Sequence, residues 1–209
     1  LAAQDGPQAI ATNGLGTLAA VANNFAKTLS VYQINGVTGE LTALAAPVPT
    51  ANLHPRSVAI TGSLVFVVVT DFVDDHRLLT YRLDTSAPSV TLTDTRILPV
   101  GNGYSTAVDV NGQGTMVAAT VGGRSTLSVF AVDHANARLI EAPSSPTIVL
   151  VNPAAVRFNP SGTLLLAASS ASNDVSVYGV APNGALTEKA GSPFATGGTG
   201  SSALAIDAL

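Results

Sequence analysis

One unit of about 48 residues recurs four times along this chain, and few architectures accommodate such a repeat. The clearest copies read QAIATNGLGTLAAVANNFAKTLSVYQI, TAVDVNGQGTMVAATVGGRSTLSVFAV and AAVRFNPSGTLLLAASSASNDVSVYGV; RSVAITGSLVFVVVTDFVDDHRLLTYRL is a more worn copy. Ile10, Val58, Val108, Val156 and Leu204 share one slot, at steps of 48, 50, 48 and 48. Tyr32, Tyr81, Phe130 and Tyr178 share another, at steps of 49, 49 and 48. An all-β repeat of this length predicts one propeller blade per unit.

The fourth copy shows the local logic. Ala154 to Phe158 reads as a short strand, followed by the turn Asn159-Pro160-Ser161-Gly162. Asn caps such a turn, Pro presets φ, and Gly accepts a positive φ. Thr163–Ala168 and Asp174–Val180 read as the second and third strands, and Pro182-Asn183-Gly184 turns the chain into a fourth. The Asn-x-x-Gly turn returns at Asn13 and Asn111. The expected fold is all-β, a β-propeller of four-stranded antiparallel blades. One domain over 1–209 holds repeats at about 6–54, 55–104, 105–152 and 153–201, with the first strand of a fifth at 202–209. Too few residues precede Gly6 to complete that fifth blade. The chain is therefore expected to be part of a larger propeller, or to self-associate through open sheet edges.

With charged residues at 11% and a net charge of −4, no basic run exists to neutralise a phosphate backbone, which argues against nucleic-acid binding. No apolar run approaches the ~20 residues of a membrane span. The absence of cysteine removes disulfides and thiolate metal sites. Low charge with abundant Ala, Thr, Ser, Gly and Asn leans toward a secreted, periplasmic or cell-surface protein. The start at Leu1, not Met, is read as a processed or truncated end.

Strand alternation sorts the loops onto two faces. His54, Arg56, the 71–77 segment, Tyr104, Arg124, Asn152 and Asn173 fall on one; the Asn-x-x-Gly turns, His134 and Asn183 fall on the other. Four residues before the Ile/Val slot stand Gly6, His54, Tyr104, Asn152 and Gly200. His54, Tyr104 and Asn152 would then ring the channel mouth as polar ligand-binding groups. One residue after the slot stand Ala11, Ala59, Asp109, Arg157 and Ala205. Asp109 and Arg157 would pair across a blade boundary or line the channel, since a charge on an inner strand is costly alone. If unpaired, Arg157 is a candidate anion binder. Asp71, Asp74, Asp75 and His76 form an acidic cluster whose spacing matches no metal loop, so no metal or cofactor is expected.

Asn159-Pro160-Ser161-Gly162-Thr163, Asp174-Val175-Ser176-Val177-Tyr178, Gly184-Ala185-Leu186-Thr187 and Gly191-Ser192-Pro193-Phe194 resemble the repeats of the lactonase-type β-propellers, the 6-phosphogluconolactonase-like proteins and their relatives with YVTN repeats. The resemblance extends over all four units and implies a seven-bladed fold, of which this chain supplies a little over half. His54-Pro55-Arg56 resembles the His-Pro dipeptide at the channel mouth of such lactonases. Two functions remain. The first expectation is an exported binding or assembly module. The alternative is a lactone hydrolase, with His54 as base and Arg56 as anion stabiliser, acting on a small lactone or sugar-derived ligand.

Overall fold

The computed structural model of the chain describes residues 4–71, 73–99, 106–143, 145–148 and 151–206. Alternating apolar segments separated by Gly- and Asn-containing turns form four antiparallel up-and-down sheets, one after another along the sequence. The first contains β1 (Pro7–Thr12), β2 (Leu18–Asn23), β3 (Thr28–Ile34) and β4 (Leu41–Ala43), with the short β5 (Val48–Pro49) also on β3. The second contains β6 (His54–Thr61), β7 (Leu64–Thr70), β8 (His76–Asp84) and β9 (Ser89–Ile97). The third contains β10 (Thr106–Val110), β11 (Met116–Val121), β12 (Thr126–Asp133) and β13 (Arg138–Glu141), with β14 (Thr147–Ile148) on β12. The fourth contains β15 (Pro153–Phe158), β16 (Leu164–Ser169), β17 (Asp174–Val180) and β18 (Leu186–Glu188), with β19 (Phe194–Ala195) on β17.

The inner strands β1, β6, β10 and β15 contact one another in succession. The sheets stack face to face, and a hydrophobic cluster fills each of the three junctions. Strand β7 shows how. Side chains alternate faces along a strand, so Val65, Val67 and Val69 enter the cluster shared with the first sheet. Leu64, Phe66 and Val68 enter the cluster shared with the third. All seven residues of β7 are buried. A strand covered on both faces reads as a continuous apolar run, which is why the worn second repeat has the most apolar of these segments.

The Asn-x-x-Gly turns are closed by the asparagine side chain. Oδ1 of Asn13 accepts from the backbone N–H groups of Thr17 and Leu18. Oδ1 of Asn111 accepts from Thr115 and Met116, and that of Asn159 from Leu164. Adjacent turns also touch: Gln113 Nε2 donates to the Ser161 carbonyl at 3.0 Å. Past the fourth sheet the alternation continues, with Leu204 and Ile206 half-buried and Ala203 and Ala205 exposed. Among the described residues this segment pairs with no strand.

These turns yield a direct test. A Cβ at Gly112 would lie 2.7 Å from the Pro160 carbonyl oxygen, a backbone atom of the next blade, whereas one at the repeat-equivalent Gly14 would meet nothing within 4 Å. Gly112→Ala is expected to lower stability by about 1–3 kcal/mol in urea denaturation, as overpacking does, while Gly14→Ala stays within about 0.5 kcal/mol of the parent.

Candidate functional site at the channel mouth

Strands β1, β6 and β15 share an irregularity that aims side chains into the channel. Their ladder registers shift between Pro7 and Ala9, between Pro55 and Ser57, and between Pro153 and Ala155. The skipped residues are Gln8, Arg56 and Ala154, all two positions before the Ile/Val slot. A bulge adds one residue to one strand and re-aims its side chain. All three bulged residues line a single cavity of about 400 Å³ between the inner strands, together with Ser57, Arg157 and Ser202. Ser202 holds the same slot in the fifth segment.

Arg56 and Arg157 are the cationic groups of this cavity. Burial pulls Arg56 below the usual guanidinium value, and it stays protonated. Arg157 also lines a second cavity of about 360 Å³ at the other end of the inner strands, shared with Asp109 and Asn111. Arg157 thus stands between the two cavities. Its Nη1 donates to the Val156 carbonyl at 3.0 Å and lies 3.8 Å from Asp109 Oδ1. Asp109 Oδ2 accepts from the Phe158 backbone N–H at 2.8 Å, joining the third and fourth inner strands. Asp109 and Arg157 therefore form a long ion pair across the blade boundary and also line the channel. Arg157 keeps 44% of its side chain exposed, so the pair leaves its guanidinium accessible to an anion.

The remaining expected site residues are placed less simply. His54 opens β6, and its Nδ1 donates to the Asn24 carbonyl at 3.1 Å. A carbonyl can only accept, so the neutral ring carries its proton on Nδ1 and Nε2 is the basic nitrogen. His54 does not line the cavity that Arg56 lines. Asn152 has φ 60° and its Nδ2 donates to Ser170 Oγ at 2.8 Å, an attachment within its own blade. Tyr104 lies outside the described residues. Gln8 and Ser57 join the mouth unforeseen. The bulge hides their slots from a period-two reading, although the repeat spacing that relates Gln8 to Arg56 was visible.

The acidic segment is built as a turn. Asp71 Oδ1 accepts from the N–H groups of Val73, Asp74 and Asp75, which lowers its pKa. Asp75 holds Arg77 through two hydrogen bonds. His76 is not part of an open loop; it is the first residue of β8 and fully buried.

Residues 99–200 match the family described as "Lactonase, 7-bladed beta-propeller". No curated protein matches the sequence. Among solved structures, a Pseudomonas aeruginosa periplasmic gluconolactonase superposes with a TM-score of 0.72 at 15% identity, over 93% of this chain and 59% of its own. A Bacteroides uniformis protein provisionally named a 6-phosphogluconolactonase superposes with a TM-score of 0.71 at 16% identity, over 88% and 53%. A Lactobacillus plantarum protein gives 0.68 at 18% identity, over 91% and 57%. The chain spans between 53% and 59% of the length of these structures.

The Asp109 environment predicts a pH signature. Desolvation raises its pKa, and the Phe158 N–H and Arg157 only partly oppose this. An acid whose pKa is raised on folding favours the folded state at low pH, and that contribution is lost as pH rises through the folded value. Asp109→Asn removes this loss while keeping an acceptor for Phe158. Its stability relative to the parent should therefore rise as pH climbs from the ordinary aspartate value through the raised one; denaturation midpoints across that range check the slope. Its repeats and its four stacked antiparallel sheets give this chain a β-propeller architecture, and over residues 99–200 it is similar to the seven-bladed lactonase propellers.

Proposed function

We propose that the protein is a lactone hydrolase acting at the channel mouth on a small lactone with an anionic or polyhydroxylated body. The observation that carries this reading is the pair of arginines, Arg56 and Arg157, meeting in one cavity between the inner strands of a lactonase-type propeller. Opening a lactone requires a water activated by a base and a donor for the tetrahedral oxyanion. His54, two residues before Arg56 on β6 and outside the lining of that cavity, is assigned as the base that takes the proton from water. The hydroxide adds to the ring carbonyl, Arg56 donates to the developing oxyanion, and the intermediate collapses by breaking the ring C–O bond. The alkoxide leaving group recovers a proton as the hydroxy acid forms. Arg157 holds a carboxylate or phosphate of the substrate, with Tyr104 and Asn152 as further candidates for orienting the ring. An exported location is supported by the composition and by the periplasmic Pseudomonas neighbour.

A second reading, a binding or assembly module, rests on the outer face of the first sheet. Ile10 is 65% exposed there, although Val58, Val108 and Val156 in the same repeat slot are buried. Further blades or another chain would cover that face, and the native mass distinguishes them.

Turnover on a panel of five- and six-membered sugar lactones tests the catalytic reading. His54→Gln is expected to lower kcat by about 10²-fold or more, as loss of a general base does. Arg56→Met is expected to lower kcat/KM by a similar factor, and Arg157→Met to raise KM mainly for anionic substrates. Absence of turnover by the parent across the panel, or full activity in the His54 variant, overturns the assignment.

A further inference from the structure

A cavity of about 690 Å³ lies between the first and second sheets at the Asn-x-x-Gly turn end, away from the mouth that holds Arg56. Its wall includes Leu15, Gln33, Gly62, Ser63, Leu83 and Thr85, and among the described residues no ionisable side chain lines it. The next junction explains why this space exists. Between the second and third sheets the corresponding volume is taken by two side chains. Arg82 Nη2 donates to the His134 and Ala135 carbonyls at 3.1 and 2.9 Å. The His134 ring Nε2 donates to the Gly114 carbonyl at 2.9 Å.

The repeat relates Arg82 and His134 to Gln33 and Thr85, which line the open cleft, and Ala135 to Ser86, which adjoins Thr85 in sequence. Counting from the aromatic slot, Gln33 follows Tyr32 as Arg82 follows Tyr81. Thr85 and Ser86 lie four and five residues past Tyr81, as His134 and Ala135 lie four and five past Phe130. The two turns are capped alike. Asp84 accepts from the N–H groups of Ser86 and Ala87, and Asp133 from that of Asn136. Gln33 is shorter than an arginine and Thr85 smaller than a histidine, so the cleft stays open where its counterpart is plugged.

We propose that this cleft is a receptor for a guanidinium group, either of a free small molecule or of an arginine on a partner peptide. The ligand would stand where Arg82 stands in the next junction and donate to the Thr85 and Ser86 carbonyls. Gln33 and Thr17 supply further polar contacts, and Leu15 and Leu83 pack against the ligand's aliphatic stem. A planar fork with several N–H donors suits two adjacent carbonyls better than a point-charge ammonium does. This inference does not depend on lactone hydrolysis, because the cleft and the mouth lie at opposite ends of the inner strands.

The test is titration of the full chain with N-acetyl-arginine amide to about 20 mM, a range that detects millimolar affinity, followed by backbone amide chemical shifts. Saturable shifts confined to Gln33, Ser63, Thr85 and their neighbours are expected, at least fivefold weaker with N-acetyl-citrulline amide and N-acetyl-lysine amide. A Gly-Arg-Gly peptide forms the second arm: equal affinity assigns a free ligand, and tighter binding assigns a partner chain. Gln33→Arg should supply the group internally, abolish the response and raise the melting temperature by about 2–4 °C. Thr85→His is the second variant and should weaken binding by narrowing the cleft. No saturable shift in the parent, equal response to citrulline, or an unchanged response in both variants overturns the proposal.

Discussion

Face-to-face burial between successive sheets carries this structure. Each sheet alone has two apolar faces, and only the neighbouring sheet removes them from water. Fully burying a Val, Leu or Phe side chain contributes about 1.5–3 kcal/mol, and each junction collects several such residues, the third filling out its cluster with Met116, Tyr178 and three alanines. The aromatic slot shows the consequence. Tyr81, Phe130 and Tyr178 are buried against the preceding sheet. Tyr32, in the first sheet, is only half-buried. Ile10 and Val58 differ in the same way, at 65% and 6% exposure. The repeat prescribes the side chain, and the neighbour decides its environment.

The stacking also creates the channel. Inner strands must approach closely, so small residues occupy most of their axial positions: Ala11, Ala59, Ala107 and Ala155. Arg56, Asp109 and Arg157 are the departures. Asp109 is tolerated because Phe158 donates to it and Arg157 lies nearby. Its raised pKa records the remaining desolvation cost. The bulges in β1, β6 and β15 then add one inward residue per strand at the mouth. A regular ladder would have turned Arg56 toward the blade interior, where a guanidinium is costly to bury.

Repeat proteins diversify by changing what fills equivalent spaces. Here the turns between the first and second strands of a sheet pack tightly where Gly112 lies against Pro160 and leave room beside Gly14. The clefts near the turns between the third and fourth strands follow the same rule, closed by Arg82 and His134 in one junction and open beside Gln33 and Thr85 in another. Such exchanges leave the apolar clusters between the sheets in place. Binding capacity is affected strongly, since a cleft that is not plugged can take a ligand.

Much of the fold was legible from the spacing of Ile10, Val58, Val108 and Val156, and from turns whose Asn and Gly have a stated mechanical role. Periodicity survives in sequence because every junction imposes the same alternation on the strands facing it. The approach of Asp109 to Arg157 was legible for the same reason: equal slots on adjacent strands are neighbours. The burial of His76, the attachment of His54 to Asn24 and of Asn152 to Ser170, and the convergence of Gln8 with Arg56 were decided in three dimensions. A bulge leaves no mark in a period-two pattern, and a carbonyl partner has no side-chain signature. Residue types and their slots were therefore set by the sequence, while the direction each polar group faces depended on backbone irregularities and on which neighbouring sheet lay within reach.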